Sequence, residues 1–285
     1  LEKGNLVAGD GPPDAVQGGA QVAQYFAKIW RLRYFWMALV KVDLKNRYRR
    51  SLIGVGWSLL HPILMTIVLA TVFGQFFHRG DVKTYAPFLL SGLILWNFIA
   101  TTMNLGCHCF FQGESYIRQY PAPLAIYSLR TTLGAAIHFG IGMALVMIII
   151  WCVNGFGNLA CLPALVPSLL LVFILGWSLA TLMGVMNVLF QDCQHLIEVV
   201  LQVLFYLTPI MYEPSQIIRD NPNLVWCLKN LNPLAVMLDL LRDPILYAKM
   251  PPLETYGIGL LIAAMAASAA SLTLLKIEKR MVFYL

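Results

Sequence analysis

Charge is what this chain has least of. Only 12% of its 285 residues are Asp, Glu, Lys or Arg, about half the share of an ordinary soluble domain. So few charges do not cover the surface of a soluble protein of this length. With 59% hydrophobic residues and a mean hydropathy of +0.71, the class is a polytopic membrane protein. A phosphate loop is missing as well: no Gly is followed by Lys, so G-x-x-x-x-G-K-[ST] does not occur and ATP is not bound by that route. No D-x-D pair and no nucleophile motif around Ser or His is present, which argues against a membrane-embedded glycosyltransferase or protease. Six cysteines (107, 109, 152, 161, 193, 227) sit mostly in or beside apolar segments and read as small hydrophobes. Cys107-His108-Cys109 is not a metal motif: neighbours on a helix point about 100° apart, and nothing nearby completes four ligands. A disulfide between Cys152 and Cys161 across a short outer loop is sterically conceivable, but nothing in the sequence supports it. Residues 1–21 have no apolar core and are rich in Gly and Pro, so a flexible tail is expected rather than a cleavable signal peptide.

The net charge of +6 acquires its meaning from its location. Eight Lys or Arg lie between Lys28 and Arg50, and Lys276, Lys279 and Arg280 close the chain. Both groups flank apolar stretches, so the expected partner is an anionic lipid surface and not nucleic acid. Residues 42–77 read VDLKNRYRRSLIGVGWSLLHPILMTIVLATVFGQFF. A Lys or Arg at the bilayer centre costs about 3 kcal/mol on insertion scales. The cationic part therefore stays at a surface, on the cytoplasmic side, while the rest enters lipid.

In residues 22–45 apolar and aromatic residues recur every three or four positions among Lys and Arg. That pattern predicts an amphipathic helix in the membrane interface, with the basic run completing a segment 22–50. Six apolar stretches follow at 56–77, 87–110, 124–151, 162–189, 195–212 and 254–275, each long enough to span. Pro62 predicts a kink or a late start in the first. Gly259, Ala263, Ala267 and Ala270 give the sixth a small face for close helix packing. With both termini inside, the inner segments are basic and the outer ones near neutral, as the positive-inside rule requires. The outer segment 213–253 is too charged to span and too apolar for a loose loop. It predicts short re-entrant or interfacial helices between spans five and six. The expected fold is thus all-α, with an interface helix, a six-span domain over 51–285 and outer re-entrant helices.

Asp43-Leu44-Lys45-Asn46-Arg47-Tyr48-Arg49-Arg50-Ser51-Leu52-Ile53-Gly54-Val55-Gly56-Trp57, with Pro62 after it, resembles the D-L-K-x-R-Y-R-x-S-x-L-G-x-x-W…P pattern of ABC-2-type polysaccharide exporter membrane subunits. That family moves O-antigens, capsular polysaccharides and wall teichoic acids. Tyr120-Pro121-Ala122-Pro123-Leu124, Tyr206-Leu207-Thr208-Pro209-Ile210-Met211-Tyr212, and Asn232-Pro233 with Arg242 beyond resemble three further family patches. The likeness covers roughly residues 25–285. Where family members often carry Arg-Asp before the fifth span, this chain has Gln191-Asp192.

The resemblance implies a half-transporter. Two copies would form the pore, and two copies of a separate ATPase, holding ATP and Mg, would drive it; no cofactor is expected on this chain. The inner loop FQGESYIRQY then suggests a coupling helix of Glu114, Ser115, Tyr116, Ile117 and Arg118, with Tyr116 and Ile117 as apolar pegs. Sugar rings stack on aromatics and hydrogen-bond through their hydroxyls, which makes Trp96, Asn97, Phe98, Thr101, Asn104, Trp177, Phe205 and Tyr206 channel candidates. Helix packing and interfacial belts use the same residue types. Lys45, Arg47, Arg49 and Arg50 suit a polyprenyl-diphosphate anchor or lipid headgroups, since Arg binds phosphate bidentately, and they serve equally as a topology signal. Asp192, His195 and Glu198 share one side of the fifth span's inner end, as an interfacial charge cluster or a proton relay. Asn232, Pro233 and Arg242 would form an outer gate. The alternatives are an ABC-2 drug or lipid exporter, a membrane-embedded enzyme and a passive channel.

Overall fold

The computed structural model describes residues 25, 27–49, 51, 54–73, 82–119, 122–214, 222–230 and 232–284. The tail 1–21, Arg50, Arg79 and Asp81 of the first outer loop, and Tyr120-Pro121 lie outside the described residues. Among the described residues there is no strand. Residues 27–31 are helical and lead into α1 (Arg33–Tyr48). Then come α2 (Trp57–Phe73), α3 (Val82–His108), α4 (Glu114–Gln119), α5 (Ala125–Asn154), α6 (Leu165–Leu189), α7 (Cys193–Leu207), α8 (Pro222–Asn230), α9 (Pro233–Leu246) and α10 (Leu253–Tyr284).

Among the described residues, four stretches are helices long and apolar enough to cross a membrane: Lys83–His108, Ala125–Asn154, Leu159–Leu189 (whose first turns are 3-10) and Leu253–Glu278. The other two expected spans form shorter apolar helices, α2 with 17 residues and α7 with 15. At 1.5 Å per residue they extend about 25 and 22 Å, against roughly 30 Å of hydrocarbon. The fifth apolar stretch was expected to run to Tyr212, but its helix stops at Leu207 and Thr208 turns extended. Pro209 has no N–H to continue the ladder. The second stretch likewise ends at His108 and passes through a 3-10 turn, Phe111–Gly113, before α4. Pro62 neither breaks α2 nor delays it: the helix starts at Trp57 and carries the proline in its second turn.

α3 is the hub. It packs on α2, α5, α6, α7 and α9, and its buried side includes Leu89, Leu93, Ile94, Phe98 and Ile99. Its crossing with α6 depends on an absent side chain: a Cβ on Gly106 would lie 2.7 Å from the Ala180 Cα. α10 packs most closely on α6, burying Gly259, Ala263 and Ala270 of its small face while Ala267 stays half-buried. The first contacts of the chain run in one direction along α5. Ala125 N donates to Tyr25 Oη, Arg130 pairs with Asp43, and His138 meets Tyr48. The expected interface helix is therefore strapped alongside the first half of α5.

The outer segment is more deeply built in than its composition indicates. α9 begins with Asn232 Oδ1 accepting from Leu234 N at 3.0 Å, with Pro233 at the first helical position, a favoured start. Leu234, Ala235, Val236, Met237, Leu238, Leu240, Leu241 and Ile245 are all buried, against α3, α6, α8 and α10.

Candidate functional site

Two polar places stand out in this apolar bundle. The first is a cavity of about 190 Å³ between α1, α2, α3 and α5. Arg47 enters from α1, Ser58 and His61 from α2, Asn97 and Thr101 from α3, and His138 from α5, with Trp57, Phe98 and Phe139 as aromatic wall. Among the described lining residues none is acidic.

Local structure explains how Arg47 comes to be there. Asp43 and Arg47 are four residues apart, on one stripe of α1. Asp43 takes both a guanidinium Nε and an Nη donor from Arg130 of α5, so the stripe faces α5. Arg130 is only 14% exposed and Asp43 41%; a half-buried guanidinium in an apolar helix needs such a partner. One turn on, the Tyr48 hydroxyl lies 3.1 Å from Nε2 and 3.2 Å from Nδ1 of His138, with the rings edge to face at 5.6 Å. Ahead of α2, Gly54 adopts φ +56° and donates its N–H to Ser51 Oγ at 3.0 Å. This turn sets the first residues of α2 at the cavity.

The second place is the buried Arg242 guanidinium of α9, 4% exposed. Nη1 donates to Pro209 O at 2.9 Å, and Nη2 donates to Ile210 O at 2.9 Å and Phe88 O at 3.1 Å. Its Cζ sits 3.7 Å above the Phe88 ring centroid. Tyr85 Oη adds a bond to Met211 O at 2.8 Å. The carbonyls are available because α7 has ended at Leu207. Gly92 makes the room: a Cβ there would lie 2.7 Å from Nη2. Asn232 Nδ2 holds Leu207 O and Thr208 Oγ1, each at 3.2 Å. Asn232 and Arg242 thus pin the same five-residue turn from opposite ends of α9. Beside it a cavity of about 250 Å³ is lined by Tyr212, Glu213, Lys229, Asp239 and Tyr247. Burial pushes the Asp239 carboxyl above its ordinary range, with Lys229 and Arg242 pulling it back.

The sequence-predicted site residues divide on this frame. Of the basic run, Lys45, Arg47 and Arg49 are all exposed, and Arg47 also lines the first cavity. Asn97, Phe98 and Thr101 share that cavity with Arg47, although Phe98 is 3% exposed and stacked at 4.9 Å on Phe139. Trp96 and Phe205 meet edge to face at 5.3 Å, and Tyr206 continues the row at 5.4 Å and is 63% exposed. Trp177 and Asn104 lie elsewhere. Trp177 packs on the apolar cluster around Phe110 and Tyr127, and Asn104 Oδ1 is buried without a hydrogen bond among the described residues. The expected coupling segment is a helix, α4, with Glu114 and Arg118 bonded at 2.9 Å and Ser115 exposed. Tyr116 is 41% exposed and meets Phe35 edge to face, while Ile117 packs inward on the Phe110–Tyr127 cluster. His195 and Glu198 are exposed on α7. All six cysteines are free.

Sequence reading missed Asp43, Arg130, His61 and His138 as a set. One signal was present: Arg130 is the lone Lys or Arg of the stretch 124–151, which also has no carboxylate. Its partner had to come from another element.

Residues 34–246 match the ABC-2 type transporter family. An O-antigen export system permease protein RfbA of Klebsiella pneumoniae is 23% identical over 217 residues, covering 75% of this chain and 82% of that protein. The polysialic acid transport protein KpsM of Escherichia coli is 24% identical over 230 residues, 80% of this chain and 86% of that one. The RfbA of Myxococcus xanthus is 23% identical over 195 residues, 68% of this chain and 73% of that one. A multi-pass helical bundle with this match over most of its length belongs to the ABC-2 type transporter family.

Proposed function

We propose that the chain is the membrane half of an ATP-driven exporter that moves a polysaccharide, carried on polyprenyl diphosphate, out of the cytoplasm across the inner membrane. The observation that carries this reading is the family match over residues 34–246, joined to relatives whose names are those of O-antigen and polysialic acid transporters. In this reading six helices span, with α2 and α7 as the short members, and both termini are cytoplasmic. α1 lies at the inner interface, and α8 and α9 are re-entrant from the outer face. Two copies enclose the path. Their shared surface is drawn from the exposed apolar faces of α2 (Leu64, Ile67, Val68) and α7 (Leu196, Val199, Val203).

A separate ATPase, in two copies, binds ATP and Mg and pushes on α4, where Tyr116 presents its ring. Asn232, Pro233 and Arg242 hold the outer turn and act as the gate. The channel wall draws on Trp96, Phe205 and Tyr206, whose edge-to-face row offers stacking surfaces to sugar rings.

Co-expression with ATPases encoded in the same genome, purification through a tag on this chain and measurement of ATP hydrolysis tests the reading. A complex with two copies of each subunit and vanadate-sensitive turnover is the expected result. A chain that stays stable and alone with every candidate ATPase overturns it.

A further inference from the structure

We propose that the cavity of about 250 Å³ beside the Arg242 turn is a saccharide subsite that accepts neutral or amino sugars and turns away acidic ones, with Asp239, Asp243 and Tyr247 as its specificity-determining residues. The assignment deepens the export reading and rests on it for the reason a glycan would pass there.

The wall is drawn from every element around that turn. Asp239 and Asp243 lie four residues apart on one stripe of α9, and Lys229 comes from the last turn of α8. Tyr212 and Glu213 come from the segment after α7, and Thr255 from the start of α10. Tyr247 follows directly on α9. Ala248 behind it takes the left-handed conformation, φ +49°, and Lys249 N donates to Asp243 O at 3.0 Å. This reversal of the chain leaves the Tyr247 ring 43% exposed beside the cavity.

The residue types point to a sugar. A tyrosine ring offers a flat apolar face to the C–H side of a pyranose, and a carboxylate accepts charge-assisted bonds from hydroxyls through both its oxygens. Among the described residues no group of three His, Cys, Asp or Glu is placed to hold a metal ion. The carboxylates are therefore spread along the wall, as the several hydroxyls of a sugar require, and not gathered on one point. The volume lies just below the roughly 300–1,000 Å³ of drug-sized sites, which leaves room for a short saccharide unit.

Charge sets the selectivity. Glu213, Asp239 and Asp243 line the cavity with Lys229 and Arg242, and Arg242 already donates to the Pro209, Ile210 and Phe88 carbonyls. A sugar acid would set its own carboxylate among three others, a costly like-charge juxtaposition, while one of the two lining cations is committed to backbone. A neutral sugar meets acceptors for its hydroxyls, and the ammonium of an amino sugar meets carboxylates. Position supplies the access. Tyr212 donates its hydroxyl to Tyr206 O at 3.2 Å, so the cavity adjoins the end of the Trp96–Phe205–Tyr206 row. A glycan leaving that row meets the cavity next.

The test uses the full chain in phosphatidylcholine nanodiscs and saturation-transfer difference NMR, with empty nanodiscs as the blank. The probes are the methyl glycosides of mannose, galactose, rhamnose, N-acetylglucosamine and glucosamine, with those of glucuronic and sialic acid as the acidic members. At least one neutral or amino probe should show transfer above the blank, and the acidic probes none. Tyr247→Ala and Asp243→Asn should each cut the signal at least threefold, while Lys41→Ala, which removes an exposed charge of α1, should bind as wild type. Asp243→Lys should admit methyl glucuronide, a gain that damage to the fold does not produce. Should that variant not purify monodisperse, Asp243→Asn combined with Glu213→Gln replaces it, with the same gain expected. Transfer to no probe, transfer to acidic probes as strong as to neutral ones, or wild-type signals in all cavity variants overturns the proposal. ATP hydrolysis with the partner ATPase is read separately. A complex that turns over ATP while the chain binds no probe sinks the cavity assignment alone. A chain that binds a neutral probe yet joins no ATPase sinks the export reading alone.

Discussion

The two polar places of this bundle use arginine in opposite ways. Arg242 spends its donors on protein: Pro209, Ile210 and Phe88 carbonyls accept from it, and Phe88 covers its face. Arg47 is exposed and lines a cavity with no described carboxylate, while Asp43, one turn behind it, is engaged by Arg130. A guanidinium with its hydrogen-bonding capacity filled holds a structure together; one directed at a cavity can bind a ligand. The comparison therefore predicts which charges the fold depends on and which serve transport.

Arg242→Ala should have the largest effect. It leaves the Pro209 and Ile210 carbonyls without their guanidinium donor, each worth about 1–3 kcal/mol when unsatisfied, while Phe88 O keeps Ser91 Oγ. The expected result is a loss of at least about 2 kcal/mol, read as a lower thermal midpoint of the detergent-purified chain. Export should fall with it, and Arg242→Lys, with three donors on one atom, should recover only part. If Arg242→Ala keeps the wild-type midpoint and loses export alone, the guanidinium is a transport group and the comparison fails.

Gly92→Ala attacks the same point from α3. The added Cβ would sit 2.7 Å from Arg242 Nη2 and 3.2 Å from Ile210 O. Displacing the guanidinium and the turn should cost about 1–3 kcal/mol by overpacking, again visible as a lowered midpoint.

The Asp43–Arg130 pair tests the other place. Asp43→Ala should reduce export several-fold and also lower the thermal midpoint, because Arg130, only 14% exposed, is left in α5 without its carboxylate. The double swap Asp43→Arg with Arg130→Asp should restore more export than either single change. An equal loss in all three would mean that the pair does not position α1.

Glu114→Gln should matter least to the fold. The Glu114–Arg118 pair is one turn apart and largely exposed, and such pairs stabilise by about 0.5 kcal/mol or less. Tyr116→Ala on the same helix should also leave the midpoint within that range while lowering ATP hydrolysis by the assembled complex. Unchanged hydrolysis would remove Tyr116 from the coupling surface.

Local features were readable in the chain wherever their cause is local. The small face of α10, the Asn232-Pro233 start of α9 and the short helix after Gly113 depend on spacing and capping, and the structure has all three. Pairings across long separations were not readable. Asp43 finds Arg130 across 87 positions, and Arg242 finds carbonyls 32 and 33 positions away. A carbonyl partner leaves no mark on the sequence, since every residue has one. The aromatic candidates were separated for the same reason: residue type assigns Trp96 and Trp177 one role, while the packing of α3 and α6 puts them in different surroundings.

The Asp43–Arg130 strap also has a consequence for how the protein is made. Asp43 leaves the ribosome 87 residues before its partner, roughly 4–17 s earlier at 5–20 residues per second. Through that interval α1 has no α5 to lie against, and its exposed Tyr34 and Val42 need another surface. The strap closes only once Arg130, in the second turn of α5, has left the ribosome, so the placement of α1 is completed late.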